Sequence, residues 1–434
     1  MAQVLIAGAG PTGLTLAIEL LRRNISVRIV DAAPSSFTGS RGKGIQPRTL
    51  EIFDLMGIAD AVVESSCLYP FLKFHVGPFG FKGGSLGTRH PSSTDRPYPN
   101  MLMVSQSRTE EILREKMTEL GGQVEYNNAV VGFCETNSGV KVTLESGETI
   151  KSDYLVACDG GRSTIRSLLD VELLGQTLDH KTMIVADLEI DGLDRDFWHV
   201  WPRIGLGLPS LCPLPQSSLF QLQASAKIAA GGLGEGIRKI TGKRASKIVW
   251  QSEFRHQTRM VNRYRVGRVL LAGDAAHLHP PSGAQGLNTS IQDAWNLGWK
   301  LAAALHHGEG QLLDSYEEER LPVAAAMLNL TGHLHRKASR KRGELTNQLS
   351  LGYSGSSLSV GEARDGLSPG DRMPDFKLSN GSRLFEQLRH PHPTQLMKRN
   401  GEFILIRPDG YIGEIGTREI KSYFGQEVAH LYFD

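Results

Sequence analysis

Six residues, Gly8-Ala9-Gly10-Pro11-Thr12-Gly13, stand between a strand-length apolar run, Val4 to Ala7, and a set of apolar residues at helical spacing. Leu14, Ala17, Ile18 and Leu21 make up that set, and Val27-Arg28-Ile29-Val30 reads as a second strand ending at Asp31. Few arrangements satisfy all of this. Gly8 permits the tight turn, Gly10 lets a pyrophosphate approach the backbone, and Gly13 lets helix pack on strand. The helix start then offers unpaired N–H groups and a positive dipole to phosphates. An acid some 20 residues further on suits a ribose diol. An α/β fold opening with a dinucleotide-binding unit is predicted, with the choice between NAD and FAD still open.

A second stretch narrows that choice. Residues 267 to 288 read GRVLLAGDAAHLHPPSGAQGLN, an apolar strand running into Gly273-Asp274 and then a stiff, glycine-rich turn. A helix is predicted from about Asn288 to Leu305, its apolar face carried by Ile291, Ala294, Leu297, Leu301 and Leu305. Its N-terminus, aimed at the pyrimidine edge of a flavin, would stabilise the reduced anionic ring by about 0.3–2 kcal/mol. A nicotinamide dehydrogenase has no need of such an element. Elsewhere, Ser107 with Glu110 predicts a capping box opening a helix that Gly121-Gly122 stops. Residues 140–144 and 149–151 predict a hairpin, and Asp153 to Cys158 a buried strand leading into Asp159-Gly160.

With these three stretches in order, the chain resembles the FAD-dependent aromatic hydroxylases, the family of p-hydroxybenzoate hydroxylase. Its nearest likeness there is to the phenol, rifampicin and aromatic-polyketide monooxygenases. The resemblance implies a discontinuous FAD domain at 1–71, 95–178 and 262–335. A β-sheet substrate domain is inserted as 72–94 and 179–261. A Ser- and Gly-rich linker, 336–365, leads to a small C-terminal unit, 366–434, similar to a shortened thioredoxin-like appendage. With no cysteine after Cys212, that unit cannot be redox-active and is expected to be dispensable for chemistry.

By the same resemblance, Gly8, Gly10, Pro11, Thr12 and Gly13 hold the FAD pyrophosphate and Asp31 the adenosine ribose. Arg41, assisted by Lys43, lies near the pyrophosphate and a moving flavin. Gln106 touches the flavin side, and Asp159-Gly160 serves both FAD and the nicotinamide nucleotide. Gly273-Asp274 meets the ribityl chain, Pro281 lies beside the ring, and Gly283, Ala284, Gly286, Leu287 and Asn288 surround its pyrimidine edge. Arg41 and Pro281 are the residues placed closest to the chemistry. Ala284 departs from a common glycine, which is tolerable only if its φ is negative. The implied reaction consumes NADPH or NADH and molecular oxygen, and passes through a flavin C4a-hydroperoxide to hydroxylate a phenolic or polyketide-like ring.

The remaining sequence is mostly exclusive. Lys plus Arg total 48 against 46 Asp plus Glu, too even for a nucleic-acid or membrane partner. Apolar runs are strand-length and the first strand starts at Val4, so a cytoplasmic protein is expected; the resemblance implies a small aromatic substrate, and a monomer or homodimer is expected. Cys67, Cys134, Cys158 and Cys212 show no metal-ligand spacing and read as buried small hydrophobes. His277 and His279 lack a third ligand and read as structural, so no metal is expected. Phe197, His199 and Trp201 share a strand face that fits either a substrate pocket or plain sheet core. The basic run 336–342 reads as a solvated helix end. Two other functions compete: a flavin-dependent halogenase, whose W-x-W-x-I-P stretch Trp198-His199-Val200-Trp201-Pro202 fails to match, and a catalytically idle flavoprotein binding an aromatic ligand.

Overall fold

The computed structural model describes residues 2–433 apart from 78, 179–180, 282, 337–343, 399–400 and 418. Its first layer is a six-stranded sheet in the order Arg265–Val266, Val269–Leu271, Tyr154–Ala157, Val4–Ala7, Val27–Val30, Val124–Glu125. Every pairing is parallel except the outermost hairpin. Val4–Ala7 and Tyr154–Ala157 are buried along their whole length, as parallel strands covered on both faces require. The helix Pro11–Leu21 packs against the long helix Gly286–His307, where a Cβ on Gly298 would stand 2.5 Å from that of Glu19.

Two helix starts differ from expectation. The long helix begins at Gly286, two residues ahead of Asn288, because Gln285 supplies the turn into it. The earlier helix begins at Gln106 and is capped by Ser105, whose Oγ accepts the Arg108 N–H at 3.3 Å. The Ser107–Glu110 capping box does not form, because Glu110 accepts the side-chain amide of Gln106 instead, at 2.9 Å.

A seven-stranded sheet makes the second body, in the order Ala245–Phe254, Met183–Ile190, Phe220–Ser225, Ser210–Pro213, Phe197–Val200, Phe71–Val76, Phe79–Lys82. One face buries Ile184, Ala186, Leu188, Leu211 and Leu222 against Ile237 and Ile240 of the helix Leu233–Thr241. Trp201 belongs to that core, and His199 hydrogen-bonds His75 at 2.9 Å and the Asp194 carbonyl at 2.6 Å. The sheet-core reading of this strand face is the one that holds. Alternation turns Trp198, Cys212, Gln221 and Asp187 to the other face, toward the first body. A small sheet of Leu174–Thr177, Gln257–Met260 and His277–Leu278 ties the two bodies together.

The C-terminal unit is a five-stranded mixed sheet, Val360–Gly361, Ile412–Gly416, Phe403–Ile406, Thr394–Lys398, Ala429–Phe433. It is locked onto the first body by a fully buried ion cluster. Arg407 donates to both oxygens of Glu319, at 2.6 and 2.9 Å, and to Asp409, while Lys300 reaches Glu319 at 2.6 Å. The indole N–H of Trp299 donates to Asp409 and that of Trp295 to the Asp409 carbonyl. Within the segment read as a linker, Ser356 donates to Glu319 and Tyr353 accepts from Arg320. The C-terminal unit and the segment leading to it are therefore packed into the core of the first body. The side chains of the basic run 336–342 lie outside the described residues.

Of the cysteines, Cys158 and Cys212 are buried as expected, but Cys67 and Cys134 are exposed. Cys67 lies on an exposed two-residue strand, and Cys134 points off a sheet edge toward solvent. Among the described residues no His, Cys, Asp and Glu cluster could hold a metal, and no helix is long and apolar enough to cross a membrane.

Candidate functional site

The glycine turn is built as its spacing demands. A Cβ on Gly8, whose φ is +103°, would lie 2.2 Å from the Cys158 carbonyl oxygen, and one on Gly13 would lie 1.9 Å from that of Gly8. Gly10 differs: nothing lies within 4 Å of where its Cβ would be. That open floor fronts a helix with Pro11 in its first turn and no side-chain cap at Gly10, so the N-terminal N–H groups and dipole face free space. Asp31 closes the other side, its carboxylate accepting from Ala9 N–H at 2.6 Å and Ala33 N–H at 2.7 Å. Those two bonds hold a short acid against the turn.

Asp159 and Gly160 follow the neighbouring strand. One Asp159 oxygen accepts the Ile165 N–H at 3.2 Å, and the other is buried with no partner. Burial pushes this carboxyl above the usual range. Gly160 has φ +79° and open space around it. Arg166 binds the carbonyls of Gly161 and Ala275, both at 3.0 Å, and so fastens this loop to the Gly273–Asp274 turn.

At that turn Gly273 has φ +64°, and a Cβ there would be 2.5 Å from the Thr12 hydroxyl oxygen. Asp274 reaches solvent through the cleft, yet protein around it pushes its carboxyl up, opposed by the charges of His277 and Arg41. What aims Asp274 is a residue the sequence reading passed over. Asp293, on the long helix, accepts the Gly273 N–H at 3.1 Å, His277 at 2.6 Å and Arg320 at 2.8 Å. Burial works to raise its carboxyl, but His277 and Arg320 outweigh that and hold it low. His277 in turn bonds His279 at 3.0 Å, so the pair is structural, as read. The only sequence signal for Asp293 was an acid interrupting an apolar helix face two turns after the glycine-rich loop.

Two loops and one glutamine complete the cleft. Gly42 N–H donates to Gln106 Oε1 at 3.0 Å, and Gln106 N–H donates back to the Gly42 carbonyl at 2.9 Å. A Cβ on Gly42 would be 3.2 Å from Leu287, and one on Gly44 would be 2.9 Å from Ala284 Cβ and from the Tyr69 hydroxyl. The Asn288 side chain braces this meeting point, donating to the Gly44 carbonyl at 2.8 Å and the Ala284 carbonyl at 2.7 Å, and accepting Gln46 N–H at 2.8 Å. Pro281 is exposed, its carbonyl accepting Ala284 N–H at 3.2 Å. Gly283 and Ala284 have φ of +95° and +53°. The expectation of negative φ at Ala284 is thus corrected: the turn needs two successive left-handed residues, and the surrounding bonds impose that on an alanine.

Arg41 and Lys43 part company. Arg41 stays exposed, 3.5 Å from Ser252 Oγ and beside the Phe37 ring. Lys43 is buried and turned the other way, donating to Gln221 Oε1 and lying 4.5 Å from the centre of the Trp198 ring. Burial lowers its ammonium pKa, while Cys212 and Asp187 oppose that. Lys43 therefore faces the seven-stranded sheet rather than assisting Arg41.

Taken together, an open glycine floor, an orphaned Asp159 oxygen, and acids at Asp31 and Asp274 fit the two ends of FAD. The comparisons agree. The sequence profile described as FAD binding domain matches residues 1–331. The chain is 42% identical to a flavin-dependent monooxygenase of Mycobacteroides abscessus, across 98% of this chain and 100% of that one. It is 31% identical to a rifampicin monooxygenase of Streptomyces venezuelae, across 99% and 100%. Its structure is similar to an anhydrotetracycline hydroxylase from Streptomyces rimosus, with TM-score 0.78, 27% identity, and 98% and 99% of the two chains covered.

Proposed function

The chain belongs to the FAD-binding-domain family of flavin-dependent aromatic monooxygenases, and from that premise we propose that it spends NADPH or NADH and molecular oxygen to hydroxylate a phenolic or polyketide-like ring. FAD, when bound, supplies the redox chemistry: hydride acceptance and oxygen activation. Gly8, Gly10, Pro11, Thr12 and Gly13 hold its diphosphate, Asp31 its adenosine ribose and Asp274 its ribityl chain. Asp159 and Gly160 serve that cofactor and the nicotinamide nucleotide. Gln106, Pro281, Gly283, Ala284, Gly286, Leu287 and Asn288 surround the ring, and Arg41 meets the incoming nucleotide.

The observation that carries the substrate reading is the face of the seven-stranded sheet turned toward this cleft. Trp198, Tyr69, Met103 and Cys212 form a buried apolar cluster there, with Lys43 and Gln221 as the polar groups beside it. Apolar and aromatic side chains with a few placed polar groups are the lining that an aromatic ring takes. The reaction requires that water be kept from the cleft once cofactor and substrate fill it, since water would otherwise divert reducing equivalents into hydrogen peroxide. The halogenase alternative has no support here: Trp198 and Trp201 lie on opposite faces of the sheet.

A panel of phenols, naphthols and tetracyclic polyketides, assayed for stimulated NAD(P)H oxidation with product mass, tests the proposal. A product heavier by one oxygen with matched cofactor consumption supports it. Flavin reduction that no aromatic compound stimulates, with peroxide as the sole product, would overturn it in favour of an idle flavoprotein.

A further inference from the structure

Glu110 stands one turn into the helix Gln106–Glu119, buried at 2% exposure beside the dinucleotide cleft. No cofactor fingerprint includes it, and its one ion pair among the described residues is a long one. The nearest cation on its own helix is Arg114, at 3.8 Å. From the loop after the second strand it feels the charge of Arg41, and from the strand end that of Asp31. Tyr126 faces both acids with a buried hydroxyl that has no partner, its phenol pushed up by burial, with Asp31 and Glu110 adding to the effect.

Hydrogen bonding fixes what Glu110 does to its neighbour. Gly42 is a backbone donor, so the Gln106 atom it meets must be the amide oxygen. The Gln106 amide nitrogen then points the other way and donates to Glu110. Glu110 therefore selects the one flip of Gln106 that can grip Gly42, the residue next to Arg41.

We propose that Glu110 is a proton-linked positioning residue of the FAD site: it orients Gln106 on the Arg41 loop and takes up a proton when the anionic diphosphate of FAD binds. The electrostatic reason is direct. Bound diphosphate brings negative charge to the end of the cleft where Asp31 and Glu110 already face each other. Asp31 is committed as an acceptor to two backbone N–H donors, which a protonated carboxyl would serve less well. Glu110 has no such obligation, because a neutral carboxyl still offers its carbonyl oxygen to Gln106. Burial pushes its carboxyl up to about 7, against the Gln106 bond and the charges of Arg114 and Arg41, with Asp31 adding to the rise. The added negative charge of FAD raises it further, so affinity tightens as pH falls.

Calorimetric titration of apoprotein with FAD at pH 7, in phosphate and in Tris, reads the proton directly. The expected result is net uptake of a fraction of a proton, with a Kd that weakens by up to about tenfold per pH unit between the free and bound pKa values of the group. Glu110→Gln keeps an acceptor for Gln106 but cannot titrate, so its uptake vanishes and its Kd becomes flat across that range. Should E110Q fail to hold FAD, Glu110→Asp carries the same test, and must retain uptake with a displaced midpoint. Wild-type binding without buffer dependence, or undiminished uptake in E110Q, overturns the proposal. No FAD binding at any pH would overturn the cofactor assignment, and the proposal with it.

Discussion

Arg407→Met should destabilise the whole enzyme although residue 407 lies far along the chain from every cofactor fingerprint. The guanidinium is fully buried and makes four contacts to carboxylate oxygens: two to Glu319, and two to Asp409 at 3.1 and 2.6 Å. Methionine fills much of the volume but leaves Glu319 facing only Lys300, Asn296 and Ser356. Removing one partner of such a buried pair costs about 3–5 kcal/mol, because the surviving charge stays desolvated. With an unfolding entropy of about 2.1 cal/mol/K per residue over 434 residues, that corresponds to a Tm lower by about 3–5 °C.

The pH dependence has a definite sign. Burial works to raise the Glu319 carboxyl, but Arg407 and Lys300 outweigh it and hold the group far below the usual carboxylate range. A depressed folded pKa contributes stability above the unfolded value of about 4.3 and loses it as pH falls further. Differential scanning fluorimetry from pH 4 to 8, on apo and FAD-loaded protein, measures both effects. The variant should be less stable at neutral pH, by a gap to wild type that holds from pH 8 down to about 4.3 and narrows only below it. A variant within 1 °C of wild type at pH 7 would refute the reasoning and show that the cluster gains too little to offset its desolvation.

Gly10→Ala should fold normally, since its new methyl meets nothing within 4 Å, yet lose FAD; circular dichroism with flavin titration checks this, and retained FAD would clear Gly10 of contact with the diphosphate. Arg41→Lys keeps the charge but not the planar fork, so FAD content should hold while anaerobic flavin reduction by NAD(P)H slows about tenfold, or about 1.4 kcal/mol. Stopped-flow absorbance at the oxidised flavin band reads it, and an unchanged rate would leave Arg41 a surface charge.

What the sequence made legible was set by the range of the interactions involved. Gly8, Gly10 and Gly13 are read easily because a strand, a turn and a helix within a few residues decide their roles. Lys43 and Arg41 look alike in sequence, two residues apart on one glycine-rich loop. Only the packing of sheet strands 178 and 211 residues later sends one to Gln221 and leaves the other at Ser252. Asp293 was missed for the same reason: its partners are a turn 20 residues behind it and an arginine 27 residues ahead. The C-terminal unit was hard to read in a different way. Its lack of cysteine bears on redox chemistry but carries no information about Arg407, whose partner Glu319 lies on an earlier helix.

Ala284 tests how the cleft tolerates a residue that local rules disfavour. Its φ of +53° costs an L-residue about 1–2 kcal/mol relative to glycine. Glycine would remove that strain but widen the unfolded ensemble by about 0.4–1 kcal/mol, so Ala284→Gly should be neutral or stabilising by up to about 1.6 kcal/mol. Four side-chain bonds already define the loop: Asn288 to the Ala284 and Gly44 carbonyls, and Gln46 and Gln285 to the Gly283 carbonyl, at 2.9 and 2.8 Å. Because these bonds, rather than the methyl, set the turn, FAD affinity should be the same in A284G as in wild type. Asn288→Ala removes both of its donors and the acceptor for Gln46, so it should weaken FAD binding while A284G does not. Thermal unfolding and flavin titration of the two variants separate the contributions. A loss of FAD in A284G equal to that in N288A would mean that the alanine methyl against Gly44, and not the bracing asparagine, shapes this side of the cleft.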